Sequence, residues 1–282
     1  MINSFLSEKT WQILKFLIHS NIYIAIGWSS IVYFTLYLFD LPLNFLIIFI
    51  VFTEALLIFN LNRLTDKAED EINTPQRASF VAKQSSYFFI FSLFLCIFLL
   101  LIVLFINFNV FLFVLVTVII GICYSVLRIK KIFLLKNVLV AIVWGVTPLI
   151  VGLYYNIINY SLLSLIVFFS LQFFINNVMF DIKDMKGDKI HKIKTLPNTI
   201  GIKNTKIICY CINIFLVFFL LSNIYYGFLP IKSIILFFFI CYVFMYLFLE
   251  NKIKKDLYYG LLIDGEFIFL TILIFLVELI WY

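Results

Sequence analysis

Read for apolar and polar positions, the chain is a series of nine long apolar runs divided by short polar breaks. The runs cover roughly residues 20–39, 42–61, 86–105, 108–124, 137–155, 162–180, 207–226, 231–249 and 261–280. About 20 apolar residues carry a helix across the hydrocarbon of a bilayer, so each run predicts a membrane-spanning helix. The least marked divisions are at Asn107–Asn109 and Asn156–Ser161. Pro148, between Gly145 and Gly152, predicts a kink in the fifth run. The first 19 residues mix Glu8, Lys9, Lys15 and His19 with Leu, Ile, Phe and Trp, the pattern of an amphipathic helix lying at a membrane interface.

Composition strengthens this picture. Of 282 residues, 65% are hydrophobic and 13% charged, with a mean hydropathy of +1.13. An ordinary soluble domain is about 45–50% apolar and about 25% charged. A soluble fold has no room to hide the excess, and a disordered chain would be polar and poor in aromatics. The expected class is an all-α membrane protein. Residues 1–19 form its interfacial segment and residues 20–282 a single transmembrane domain. The five Cys form no CxxC pair and read as small apolar side chains. No His/Cys set has zinc spacing, and no nucleic-acid partner is expected.

Charge tests the helix count. With nine crossings, one face receives the N-terminus and the segments after the second, fourth, sixth and eighth helices. That face then holds 20 of the 21 Lys and Arg residues, and only Lys232 falls on the other. The positive-inside rule places the charged face in the cytoplasm and the C-terminus outside. The connections after the second and sixth helices read as loops of about 25 residues and carry most of the acidic side chains. Long connections in compact proteins are commonly functional.

Two acidic stretches stand where even-numbered helices leave the membrane. In the first, Asn62, Asp66 and Asp70 recur at i, i+4 and i+8, a spacing that lines one helical face. In the second, Asp181, Asp184 and Asp188 recur at i, i+3 and i+7, with Asn177 one turn earlier. The pairs Asn62/Asp66 and Asn177/Asp181 hint at a repeat of two four-helix halves. Five carboxylates converging on one cavity repel one another strongly in a low-dielectric site. A divalent cation offsets this, and all-oxygen ligands suit Mg²⁺, which takes one or two carboxylates and fills its other positions with substrate phosphate. The pattern predicts a Mg²⁺–diphosphate site that serves lipid-soluble substrates.

These motifs resemble those of the UbiA superfamily of intramembrane prenyltransferases, which pair an NDxxDxxxD-type first motif with a DxxDxxxD-type second one. The stretch from Asp181 to Gly201, DIKDMKGDKIHKIKTLPNTIG, is the most specific part: Asp181, Asp184, Gly187, Asp188, Thr195, Leu196, Pro197 and Gly201 all fit the family pattern. Arg63 stands where an Asp often follows the first Asn, and His191 near a common Gly. The resemblance implies nine helices, a cytoplasmic active site and Mg²⁺ on Asp66, Asp70, Asp181, Asp184 and Asp188, with Asp66, Asp70, Asp181 and Asp184 driving ionisation of the donor. Asn62 completes the polar wall. The segment Tyr124-Ser-Val-Leu-Arg128-Ile-Lys130 is similar to the family's Tyr-then-Lys segment, which leaves Arg128 and Lys130 both open as the diphosphate contact. Arg77 and Lys194 are further diphosphate contacts by family position. For each of these four, a topology charge is the competing reading.

Tyr124 and Glu54 are assigned to the acceptor pocket. Glu54 sits two turns before Asn62, inside the membrane, where a carboxylate is costly; it faces the acceptor, acts as a base, or is a structural hydrogen-bonded acid. Asp264 and Glu266 read as interfacial residues. The implied reaction moves a prenyl group from a polyprenyl diphosphate to a hydrophobic acceptor in the bilayer, an aromatic quinone precursor or a prenylated glycerol phosphate. A cation or lipid transporter is the rival, although transport sites sit near the midplane on broken helices. A CDP-alcohol phosphotransferase would need a DGxxAR string, which is missing.

Overall fold

All nine apolar runs fall in helical backbone, and no strand occurs among the described residues of this computed structural model. The structure describes residues 8–73, 75–127, 132–250, 252–253 and 258–281. The helices are α1 (Glu8–His19), α2 (Ile22–Leu38), α3 (Phe45–Thr65), α4 (Lys67–Asn73), α5 (Pro75–Ile106), α6 (Phe108–Val126), α7 (Leu135–Gly145), α8 (Leu149–Tyr155), α9 (Tyr160–Ile190), α10 (Leu196–Tyr225), α11 (Ile235–Leu249) and α12 (Glu266–Trp281). Short 3₁₀ (Ile231–Ile234) and π-helical (Tyr258–Ile263) segments precede α11 and α12.

Among the described residues, seven stretches are long and apolar enough to cross a membrane, and the α1–α2 pair, bent by 71°, supplies an eighth. The ninth run becomes α12, which is shorter at 16 residues. Pro148 separates α7 from α8, as the kink prediction required. The faint breaks turn out to be helix caps. Asn107 Oδ1 accepts from Val110 N–H at 3.1 Å to start α6, and Asn159 Oδ1 accepts from Leu162 N–H at 2.9 Å to start α9. An Asn at these positions satisfies a backbone donor that the first helical turn leaves open.

The helices close into a ring. α2 packs on α3, α3 on α5 and α6, α7 on α9, α9 on α10, α10 on α11, α11 on α12, and α12 returns to α2. Small residues set the closest approaches: a Cβ on Gly145 would lie 2.4 Å from the Ser170 Cα on α9, so only Gly fits this α7–α9 crossing. Buried amides link helices as well. Gln172 Nε2 donates to Asn213 Oδ1 at 3.2 Å, and Asn213 Nδ2 to the Ile240 carbonyl at 3.1 Å. The outer face of α5 is the reverse, with Tyr87, Phe94 and Phe105 more than two-thirds exposed. An apolar face of that extent suits lipid, not water. Cys96 and Cys209 are buried as expected, whereas Cys211 and Cys241 are exposed; all five are free thiols.

Candidate active site

The first acidic stretch is not one straight helix. α3 ends at Asp66, whose backbone (φ −105°, ψ 18°) leaves helical geometry, and α4 starts afresh at Lys67. Thr65 Oγ1 donates to the Asn62 carbonyl at 3.0 Å beside the break. The i to i−4 ladder nevertheless survives it: Asp66 N–H reaches the Asn62 carbonyl at 3.0 Å, and Asp70 N–H the Asp66 carbonyl at 2.9 Å. Asn62, Asp66 and Asp70 therefore stay a turn apart, as their spacing predicts, without one continuous helix.

The second stretch is continuous. α9 runs unbroken to Ile190, so Asp181, Asp184 and Asp188 share a face. The two connections read as loops are thus largely helical, built from α4, the start of α5 and the last turns of α9. Polarity ends a membrane crossing but does not end a helix. α9 closes through His191 N–H to the Gly187 carbonyl (2.9 Å) and Ile193 N–H to the Asp188 carbonyl (2.8 Å). The chain then restarts as α10 after Thr195, with Pro197 in the first turn, where its missing N–H costs nothing. Gly201 interrupts that helix at φ 80°, a conformation that favours glycine.

Both stretches face one cavity of about 160 Å³. α3 and α4 contribute Asn62, Arg63, Asp66 and Asp70; α6 contributes Tyr124; α7 contributes Lys136 and Asn137; α9 contributes Asp181, Asp184 and Asp188. Asp264, just ahead of α12, is a sixth carboxylate in the wall, not an interfacial residue. Glu266 is also fully buried, and accepts from Asn176 Nδ2 at 2.9 Å and the Tyr246 hydroxyl at 3.1 Å.

A second, more apolar cavity of about 110 Å³ adjoins the first, with Phe59, Asn62, Tyr124, Val140 and Asn177 in both walls. Ile58, Gly121, Val143 and Trp144 line it further in. Aromatic rings stand at the junction. Trp28 stacks on Phe173 with centroids 4.0 Å apart, Phe59 stacks on Trp144 at 5.6 Å, and the Trp28 and Trp144 centroids are 4.0 Å apart.

Among the described lining residues, two cations answer the carboxylates. Arg63 Nη1 lies 3.1 and 3.0 Å from the two oxygens of Asp70. Lys136 Nζ is 2.6 Å from Asp181 Oδ1 and 3.9 Å from Asp188 Oδ2, while Asn137 Nδ2 donates to Asp181 Oδ2 at 2.8 Å. The donor set fits Mg²⁺. Among the described residues the lining ligands are all oxygens, with no His or Cys in the wall. Asn62 Oδ1 is buried without a hydrogen-bond partner, so the wall holds an unsatisfied acceptor. Among the described residues no three acidic, His or Cys groups converge closely enough to hold an ion unaided. An ion here would take one or two carboxylates and complete its shell from substrate oxygens, the usual habit of Mg²⁺.

Of the residues singled out from the sequence, Asn62, Asp66, Asp70, Tyr124, Asp181, Asp184 and Asp188 meet in this wall. Lys194 is exposed and outside it. Glu54 is buried beside Thr117, and lines neither cavity. Arg128, Lys130 and the side chain of Arg77 lie outside the described residues. Lys136, Asn137 and Asp264 escaped the sequence reading. Lys136 was one more charge on a basic face, and no spacing sets a single Asn or Asp at the end of an apolar run apart.

The sequence matches the UbiA prenyltransferase family over residues 22–263, and the chain belongs to that family. It is an integral membrane prenyltransferase. No curated protein sequence matches it significantly. Among solved structures it is similar to a UbiA homologue from Aeropyrum pernix K1 in its apo form (TM-score 0.68, 13% identity, 90% of this chain and 98% of the other). It is also similar to a UbiA homologue from Archaeoglobus fulgidus bound to GPP and Mg²⁺ (0.58, 17%, 93% and 97%). A third likeness is to a digeranylgeranylglyceryl phosphate synthase (0.54, 20%, 94% and 92%). At these identities the likeness establishes the fold.

Proposed function

We propose that the chain transfers a prenyl group from a prenyl diphosphate to a lipid-soluble acceptor, with Mg²⁺ held by Asp66, Asp70, Asp181, Asp184 and Asp188. One observation carries the reading: both acidic stretches line a single polar chamber that shares a wall with an apolar one. An amphiphile with a charged head and a greasy tail matches that pair of chambers. The A. fulgidus homologue, solved with GPP and Mg²⁺, supports the same donor class here. When bound, Mg²⁺ supplies positive charge to the departing diphosphate.

The chain's own groups do the remainder. Arg63 and Lys136 add fixed positive charge beside the leaving group. Phe59 and Tyr124, at the junction, hold the first isoprene unit where head meets tail. Trp28, Phe59 and Trp144 line the two cavities, and aromatic rings stabilise a developing allylic cation. The apolar walls keep out water, which would otherwise capture that cation. The acceptor is an aromatic quinone precursor or a prenylated glycerol phosphate, and Asp264 in the chamber wall orients it. The chamber faces the cytoplasm, in line with the basic residues at that end, and the C-terminus lies outside.

The test uses purified full-length protein with geranylgeranyl diphosphate, Mg²⁺ and a panel of both acceptor classes. Products are identified by mass and diphosphate release is timed. Asp66→Asn and Asp184→Asn should each slow release by about 10²-fold or more. Wild-type rates in both variants would remove the proposed site.

A further inference from the structure

In each acidic stretch, one carboxylate has both oxygens engaged by the protein itself. Arg63 holds Asp70 through both oxygens, and Lys136 with Asn137 divides the two oxygens of Asp181. The pairs are well shielded: the Lys136 and Arg63 side chains are 17% and 20% exposed and Asp181 is 2% exposed. Among the described residues of the wall, Arg63 and Lys136 are the cations that stand beside its six carboxylates. Their charge offsets part of the repulsion among those carboxylates.

From this arrangement, and resting on the reading under Proposed function, we propose that Arg63 and Lys136 are built-in counterions that occupy Asp70 and Asp181 until the donor arrives, so that divalent metal and prenyl diphosphate bind only together. A free Mg²⁺ that takes Asp70 or Asp181 as a ligand must pull it from its partner. It then leaves a guanidinium or an ammonium partly buried, unpaired and beside a new dication. Removing one partner of a buried ion pair is strongly unfavourable. Diphosphate changes the balance, because its oxygens give both cations somewhere to go. A guanidinium fits phosphate oxygens in bidentate fashion, and an ammonium binds them as a point charge. The carboxylates that are released then meet a cation carrying its own phosphate ligands. By linkage, metal tightens donor binding by the same factor as donor tightens metal binding. A prenyltransferase built this way holds no bare metal in a chamber open to lipid.

The experiment is a Mn²⁺ titration followed by electron paramagnetic resonance, on purified full-length protein, with and without geranylgeranyl thiodiphosphate as a slowly ionising donor. Wild type should bind Mn²⁺ about tenfold more tightly with the thiodiphosphate than without it. Lys136→Met keeps the length of the side chain and removes its charge. It should bind Mn²⁺ about tenfold more tightly than wild type when no donor is present, and the enhancement by donor should fall towards one. Lys136→Arg should restore the enhancement. Arg63→Met gives the parallel test on Asp70 and decides the matter if Lys136→Met does not fold. Donor-free Mn²⁺ affinity no higher than wild type in a folded charge-removal variant overturns the counterion role. Absence of Mn²⁺ binding to wild type even with the thiodiphosphate overturns the metal site itself, and with it this proposal.

Discussion

Gly187 donates its backbone N–H to Asn73 Oδ1 across 3.0 Å, which clasps the end of α4 to the C-terminal end of α9. A Cβ on Gly187 would lie 2.5 Å from Asn73 Nδ2, so a side chain at 187 would crowd the amide that makes this bond. The clasp brings Asp70 and Asp184 into one wall. Gly187→Ala should force the Asn73 amide out of the clasp and crowd the contact, at a cost of about 1–3 kcal/mol, and raise KM for the donor. Asn73→Ala removes the hydrogen bond alone and should cost about 1 kcal/mol. Unfolding temperature in detergent and donor KM check both; equal losses would refute the steric account.

Glu54 is buried in α3 but lines neither cavity. Glu54→Gln keeps its shape and its capacity to hydrogen-bond, and should leave kcat unchanged. A marked fall in kcat, measured by product formation with saturating donor, would return Glu54 to the chemistry.

The apolar chamber sets how long a donor fits. Val143→Trp fills it beside Trp144 and Gly121. The variant should discriminate against geranylgeranyl relative to geranyl diphosphate by about tenfold more than wild type, because hydrophobic pockets discriminate by steps of roughly that size. Competition between the two donors, with products weighed by mass spectrometry, reads the ratio directly.

Glu266 is the acceptor for Asn176 and Tyr246 in the bundle interior. Glu266→Ala strands both donors and should cost about 1–3 kcal/mol. Glu266→Gln keeps a carbonyl acceptor and should cost less. Thermal unfolding of the two variants side by side distinguishes a structural acid from a surplus one.

Chelation separates chemistry from architecture. EDTA should stop diphosphate release, and Mg²⁺ should restore it. The unfolding temperature of donor-free protein should hardly move, because Arg63 and Lys136 already hold one carboxylate in each stretch. A large drop on chelation would mean that metal is resident in the donor-free state.

The acidic face of α9 was legible from spacing alone, because a continuous helix converts i, i+3 and i+7 into one stripe. The break at Asp66 was not: the spacing of Asn62, Asp66 and Asp70 reads the same whether the helix continues or restarts. The two long polar connections misled for a related reason. Hydropathy reports where lipid ends, and both α9 and the start of α5 keep their hydrogen bonding beyond that point. Lys136 was hidden among twenty like charges, since its role depends on α7 packing beside α9, which no local pattern encodes. Asp264 and Glu266 looked interfacial because they stand next to an apolar run; the contact of α12 with α2 draws them inside.

That last contact has a consequence for biogenesis. α2 is among the first helices to leave the ribosome and α12 the last described, and the wall bearing Asp264 is sealed only when the two meet. Until then a nascent chain carries both aspartate stretches but no enclosed chamber. On the proposed chemistry, a chain halted before α12 has no sealed chamber in which to ionise a donor, and competence comes with the docking of α12 on α2.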